Sequence, residues 1–173
     1  MHQQNTRRQR TAGGFTAALL LASGFVHAAQ VRASAPTAEM MAPIDGIVAF
    51  MTQLPPAAHA DVFVGGADLV IVENFPPYLF RGAGAAALWE QGFRQHIAAE
   101  EDSGLAVKFG PARDFSITGD RAYFCLPTTW TGLTHGRPFE EHGAWAFVVQ
   151  HGAHGWRILA YGWGETAHAE PAP

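Results

Sequence analysis

Apolar residues along this chain change their pattern three times. Ile44, Ile47, Val48, Phe50, Met51 and Leu54 recur at helical spacing, with Pro43 suited to a first helical turn and Pro55-Pro56 ending the helix. A second short helix is expected over residues 57–62. The β-rich run Leu69-Val70-Ile71-Val72 lies between Gly65-Gly66 and Pro76-Pro77, which predicts one strand within residues 67–74. After Arg81-Gly82, residues Leu88, Trp89, Phe93 and Ile97 return to helical spacing and predict a long helix over residues 83–100, about 27 Å in length.

From Leu105 onward the pattern is β-branched and aromatic. Residues 105–117, 121–134, 137–151 and 156–164 are read as four antiparallel strands, broken at Gly119-Asp120, His135-Gly136 and residues 152–155, each gap short enough for a hairpin. Helices followed by a strand meander predict an α+β fold with helices on one face of the sheet. The strand over residues 143–149 carries Trp145, Phe147 and Val149 on one face and Ala144, Ala146 and Val148 on the other. Helices can cover only one of these faces, so a homodimer through the other face of the sheet is expected.

The amino-terminal segment differs in kind. Arg7, Arg8 and Arg10 precede an uncharged run over residues 11–26, which reads as a signal peptide spanning residues 1–28, cleaved after Ala28. The run is shorter than the roughly 20 apolar residues a spanning helix needs, so no membrane association is expected after cleavage. Residues 29–43 are rich in Ala, Ser, Thr and Pro and read as a flexible linker; residues 44–165 form the domain, and residues 166–173 a flexible tail. The localisation this implies is periplasmic or secreted. The Arg7-Arg8 pair leaves the twin-arginine route open, although Gln9 and Arg10 stand where apolar residues normally follow.

Charge narrows the partners. Removing Arg7, Arg8 and Arg10 from 11 basic residues leaves eight against 15 acidic ones, a net charge of about −7, which disfavours nucleic acid. The 173 residues, 48% apolar and 12% aromatic, suffice for one domain with a substantial core. A single cysteine, Cys125, excludes an internal disulfide and reads as a small buried strand residue. Seven of nine histidines remain after His2 and His27 are removed, scattered without a ligand pattern on the predicted helices, so neither a metal nor a cofactor is expected.

Several local strings, taken in order, resemble the nuclear transport factor 2-like superfamily, in its SnoaL-like bacterial branch, over residues 44–165. They are Leu69-Val70-Ile71-Val72-Glu73-Asn74 leading to Arg81-Gly82 and the long helix, the strand-turn over residues 132–138, and Gly155-Trp156-Arg157-Ile158-Leu159-Ala160-Tyr161-Gly162-Trp163. The resemblance implies a cone-shaped domain in which a curved sheet wraps helices around a cavity. It also implies a test against ketosteroid isomerase-like relatives, which place a carboxylate base just after the first strand. The matching position here is Asn74, and an amide cannot take a proton. Their helix-borne tyrosine has no counterpart over residues 44–54, where Phe50 lies nearest. An acid on the strand before the last would fall within residues 140–146, where His142 is the polar candidate.

Alternation back from Asn74 places Val72 on the pocket face, and back from Trp163 it adds Tyr161. His142 is thus a candidate general acid/base or a polar residue at a wet strand end. Asn74 either orients a ligand or caps the turn into Pro76-Pro77. Trp89, Tyr161 and Trp163 are candidate ligand-binding aromatics or core, while Asp61 and Asp68 read as solvated loop edges. The function expected is an exported pocket protein binding a small apolar molecule. The alternatives are an isomerase, dehydratase or hydrolase using His142, and a dimeric interaction module.

Overall fold

The computed structural model describes residues 35–53 and 61–169. The expected signal peptide, the first part of the linker, residues 57–60 of the expected short helix and residues 170–173 lie outside the described residues. The α+β cone of the sequence reading is present. Among the described residues, two helices pack against one curved, mainly antiparallel sheet of seven strands.

Helix α1 spans Ala38–Thr52, so the domain begins inside the expected linker. Thr37 sets this start, its Oγ1 accepting from the Met40 N–H at 3.4 Å, and Met40 is already buried in the core. Pro43 therefore lies inside the helix; near the start it removes a single hydrogen bond, to the Glu39 carbonyl. Helix α2 spans Ala85–Ala99 and buries Ala85, Trp89, Phe93 and Ile97. Gly92 allows α2 to approach the neighbouring hairpin, because a Cβ there would lie 3.1 Å from Phe75 Cε2 and 3.3 Å from Phe80 Cζ. Among the described residues no helix is long and apolar enough to cross a membrane.

The strands are β1 (Val70–Val72), β2 (Leu79–Arg81), β3 (Ser103–Phe109), β4 (Arg113–Thr118), β5 (Arg121–Thr134), β6 (Arg137–Gly152) and β7 (Gly155–Ala169). Their order is β2-β1-β7-β6-β5-β3, with β4 also on β5. Two expectations are corrected. The single strand over residues 105–117 is two strands, both paired with the long β5. The interruption is Gly110-Pro111, where Pro111 has no N–H to offer a ladder and the Gly110 N–H donates to the Pro127 carbonyl at 2.8 Å. Strand β2 was not expected; it folds back on β1 after the Pro76-Pro77 turn and pairs Phe80 with Ile71. The last strand also runs to Ala169, into the expected tail.

Strand phase decides what reaches the interior. On β5, Ala122, Phe124, Leu126, Thr128 and Trp130 are buried; on β6, Phe139, Trp145, Phe147 and Val149. On β7, Tyr161 and Trp163 face the same way, paired with Phe147 and Trp145. Two bulges interrupt the β6–β7 ladder, one between Val148 and Val149 and one between His142 and Gly143. The second leaves Thr166 as an extra residue on β7, so the inward sequence Trp163, Glu165 resumes at His168, opposite Glu141. Cys125, expected to be buried, is only half-buried on the outward phase of β5.

Candidate functional site

The helices, the β1–β2 hairpin and the ends of β5, β6 and β7 enclose a cavity of about 280 Å³. Its walls are aromatic and aliphatic: Phe75, Phe93, Trp130, Phe139, Trp145 and Trp163, with Met51, Ile97 and Leu105. The rings brace one another, Trp145 meeting Trp130 edge-on at 5.6 Å and Trp163 at 6.1 Å between centroids. Volume and lining approach those of small-molecule sites, which run from about 300 Å³ upward.

Deepest in the wall is a carboxylate. Glu73 follows β1 and is 5% exposed; its N–H is fixed by donation to the Tyr78 carbonyl at 3.0 Å. Trp89 Nε1 of α2 donates to Glu73 Oε1 at 3.1 Å, and the Tyr161 hydroxyl of β7 donates to the same oxygen. Burial raises the Glu73 pKa from 4.5 to about 7, outweighing the opposite pull of hydrogen bonds from Tyr161, Trp89 and the Asn74 backbone. Burial and then the Glu73 charge push Tyr161 well above its usual 10, so its phenol keeps the proton and acts as a donor.

Polar groups at the more exposed end form a mouth of Glu100, Asp102, Glu141, His96, His168 and Thr134. Thr134 Oγ1 donates to Asp102 Oδ1 at 2.5 Å. The Asp102 pKa is raised, chiefly by burial. Glu141 is raised by burial and then by the charge of Glu165. His168 Nδ1 lies 3.4 Å from Glu141 Oε1 and 4.0 Å from Glu165 Oε1. Among the described residues these three form the group that could hold a metal ion, their ligand atoms lying within 4.8 Å of one another. Their approach is a product of the Thr166 bulge, which residue spacing alone does not reveal.

The residues singled out from sequence divide into three sets. Trp163 and Asn74 line the cavity, Asn74 by an exposed edge. Trp89 and Tyr161 are buried behind it and meet at Glu73. His142 lies elsewhere: it has the outward phase of β6, pairs across the ladder with Thr129, and holds Glu140 at 2.7 Å from Nε2 and Thr129 Oγ1 at 3.2 Å from Nδ1. Its assignment to the pocket is corrected, because Trp145 and Phe147 on the same strand take the inward phase. Val72, also placed inward, is 44% exposed, so the interior position after β1 is Glu73 rather than Asn74. Asp61 and Asp68 are exposed and do not line the cavity. Glu73, Asp102, Glu141 and His168 were not among the residues singled out; Glu141 is in phase with Trp145 and Phe147, Asp102 directly precedes β3, and His168 reaches the inward face only through the bulge.

Comparison with solved structures places this architecture. A nuclear transport factor 2-like superfamily protein from Salmonella enterica superposes with a TM-score of 0.60 at 17% identity, covering 75% of this chain and 89% of that one. This chain has the nuclear transport factor 2-like fold. A provisionally assigned scytalone dehydratase from Novosphingobium aromaticivorans matches at a TM-score of 0.58 and 11% identity over 76% of this chain and 84% of its own. A provisionally assigned ketosteroid isomerase from Shewanella frigidimarina matches at 0.55 and 18% identity over 73% and 94%. No protein-family model and no curated protein matches the sequence. The likeness establishes the fold alone, and the chemistry of the cavity belongs to the residues lining it.

Proposed function

We propose that this chain is a small-molecule enzyme of the proton-transfer class, an isomerase or dehydratase in reaction type, with Glu73 as the group that takes and returns the proton. The observation that carries this reading is a buried carboxylate lining an aromatic cavity with its pKa raised to about 7. Such a group is present as both base and acid near neutrality, as proton transfer between two atoms of one substrate requires. Both side-chain donors converge on Oε1; among the described residues no side-chain donor reaches Oε2, which is the oxygen a substrate C–H would meet. Tyr161 and Trp89 position the carboxylate. The provisional dehydratase and isomerase names of the two neighbours agree with this class of chemistry, although the similarity itself establishes the fold alone.

Deuterium incorporation tests the reading. Wild-type protein is expected to catalyse exchange of the acidic C–H of a compact aromatic ketone such as β-tetralone in heavy water, followed by proton NMR, and Glu73→Gln to lower the rate about 100-fold or more. Equal exchange by the two proteins overturns it. A second reading, binding of a small apolar molecule without turnover, is favoured by the wall of six rings; it predicts binding of the same probe with no exchange. Export is proposed on the amino-terminal sequence alone, and amino-terminal sequencing of secreted protein should begin at Ala29.

A further inference from the structure

The charge of the cavity points to the class of molecule it takes. Among the described residues four carboxylates line it, Glu73 at depth and Glu100, Asp102 and Glu141 at the mouth, and neither Lys nor Arg is in the lining. The basic side chains present are already engaged: His96 stacks on Phe75 at 5.3 Å between centroids, and His168 stacks on Phe139 at 6.2 Å while facing Glu141. An anionic substrate, whether carboxylate, phosphate or acyl thioester of a phosphorylated carrier, would meet four carboxylates against two histidines here, with no guanidinium fork among the described lining residues to receive it.

The aromatic walls complete the argument. A ring face attracts a positive charge through its quadrupole, and the attraction grows when water is excluded. Trp130, Phe139 and Trp163 line the same cavity as Asp102 and Glu141, so a cation at the mouth would find ring and carboxylate together. Acids crowd one another at this end, Glu141 beside Glu165 and Asp102 with Glu100 along the same lining. A bound cation relieves both repulsions. We propose that the cavity selects a small organic cation, an amine or ammonium group carried on a ring or compact apolar body, with the charged end at Asp102 and Glu141 and the apolar body among the rings toward Glu73.

This proposal rests on the cavity described above and deepens the proton-transfer reading, but its test needs no turnover. Phenethylammonium, phenethyl alcohol and phenylacetate share a ring and a two-carbon arm and differ in charge. Each is titrated into the full chain at neutral pH and low salt, with the indole N–H resonances of Trp130, Trp145 and Trp163 as the readout. The cation should bind about tenfold tighter than the alcohol, phenylacetate should bind weakest, and salt should narrow the difference. Asp102→Asn and Glu141→Gln, made separately and together, should each reduce the preference for the cation.

Equal or tighter binding of the alcohol overturns the proposal, as does tighter binding of phenylacetate or the absence of any shift at these indoles. Zinc alone serves as a further probe of Glu141, Glu165 and His168; tight zinc binding with no response to phenethylammonium would replace the organic cation by a metal ion. Glu73 is untouched in all these experiments. Charge-blind binding with intact Glu73-dependent exchange would remove this inference alone, whereas cation preference without exchange would remove only the proton-transfer reading.

Discussion

Glu73 should cost the fold stability at neutral pH, and Glu73→Gln should restore it. The folded pKa of about 7 lies above the ordinary 4.5, so between these values the folded chain holds a proton that the unfolded chain has released. Stability is then fully present below about pH 4.5 and declines as pH rises through 7. At about 1.4 kcal/mol per pH unit, the interval corresponds to roughly 3 kcal/mol. Glu73 is fully buried, so solvent screening does not reduce this figure. Asp102 and Glu141 are also raised and tilt the curve the same way, so the informative quantity is wild type minus variant. Urea unfolding followed by circular dichroism, from about pH 4.5 to about pH 8, should show wild type losing roughly 3 kcal/mol more than Glu73→Gln. At the alkaline end the variant should be the more stable protein, the expected signature of a group kept for chemistry at the expense of stability. Parallel curves, within the error of the linear extrapolation, would refute the claim that Glu73 is protonated on folding.

The partners of Glu73 should move its midpoint in a fixed order. Tyr161→Phe removes the larger lowering hydrogen bond and Trp89→Phe the smaller, so both should carry the midpoint of the same pH curve above about 7, Tyr161→Phe further; a downward move in either would contradict the assignment. Gly143→Ala should destabilise the β6–β7 ladder by about 1–3 kcal/mol, because its Cβ would overlap the Gly164 carbonyl oxygen and lie 2.5 Å from Trp163 Cη2; unchanged thermal stability would show that the bulge yields. The outward sheet face presents exposed Val72 and Tyr123 beside half-buried Ala144, Ala146 and Val148. Light scattering at micromolar concentration should therefore give the mass of two chains, and Tyr123→Glu the mass of one. A wild-type mass of one chain would exclude the homodimer.

The architecture was legible because its signals are periodic. The spacing of Ile44, Ile47, Phe50 and Met51, of Trp89, Phe93 and Ile97, and of Trp145, Phe147 and Val149 selects the buried face of each element, and the structure retains every one of these faces. The site was less legible because it depends on strand phase, and Leu69-Val70-Ile71-Val72 is apolar on both faces. Nothing in that run says whether position 73 or 74 turns inward; the choice is made by the pairing of Ile71 with Phe80 on one side and Tyr161 on the other.

On β6 the phase was available: once Trp145 and Phe147 are taken as core, Glu141 must face inward and His142 outward. On β7 it was not, because the bulge at Thr166 shifts His168 onto the inward face by a change in register with β6 that no composition or period records. The consequence for function is disproportionate. A phase error of one residue exchanges a buried acid for an exposed amide, and with it a group that can carry a proton for one that cannot. Chemical inference from a strand is therefore only as secure as the cross-strand pairing that fixes its phase, and the absence of a base at Asn74 carries no weight against a base at Glu73.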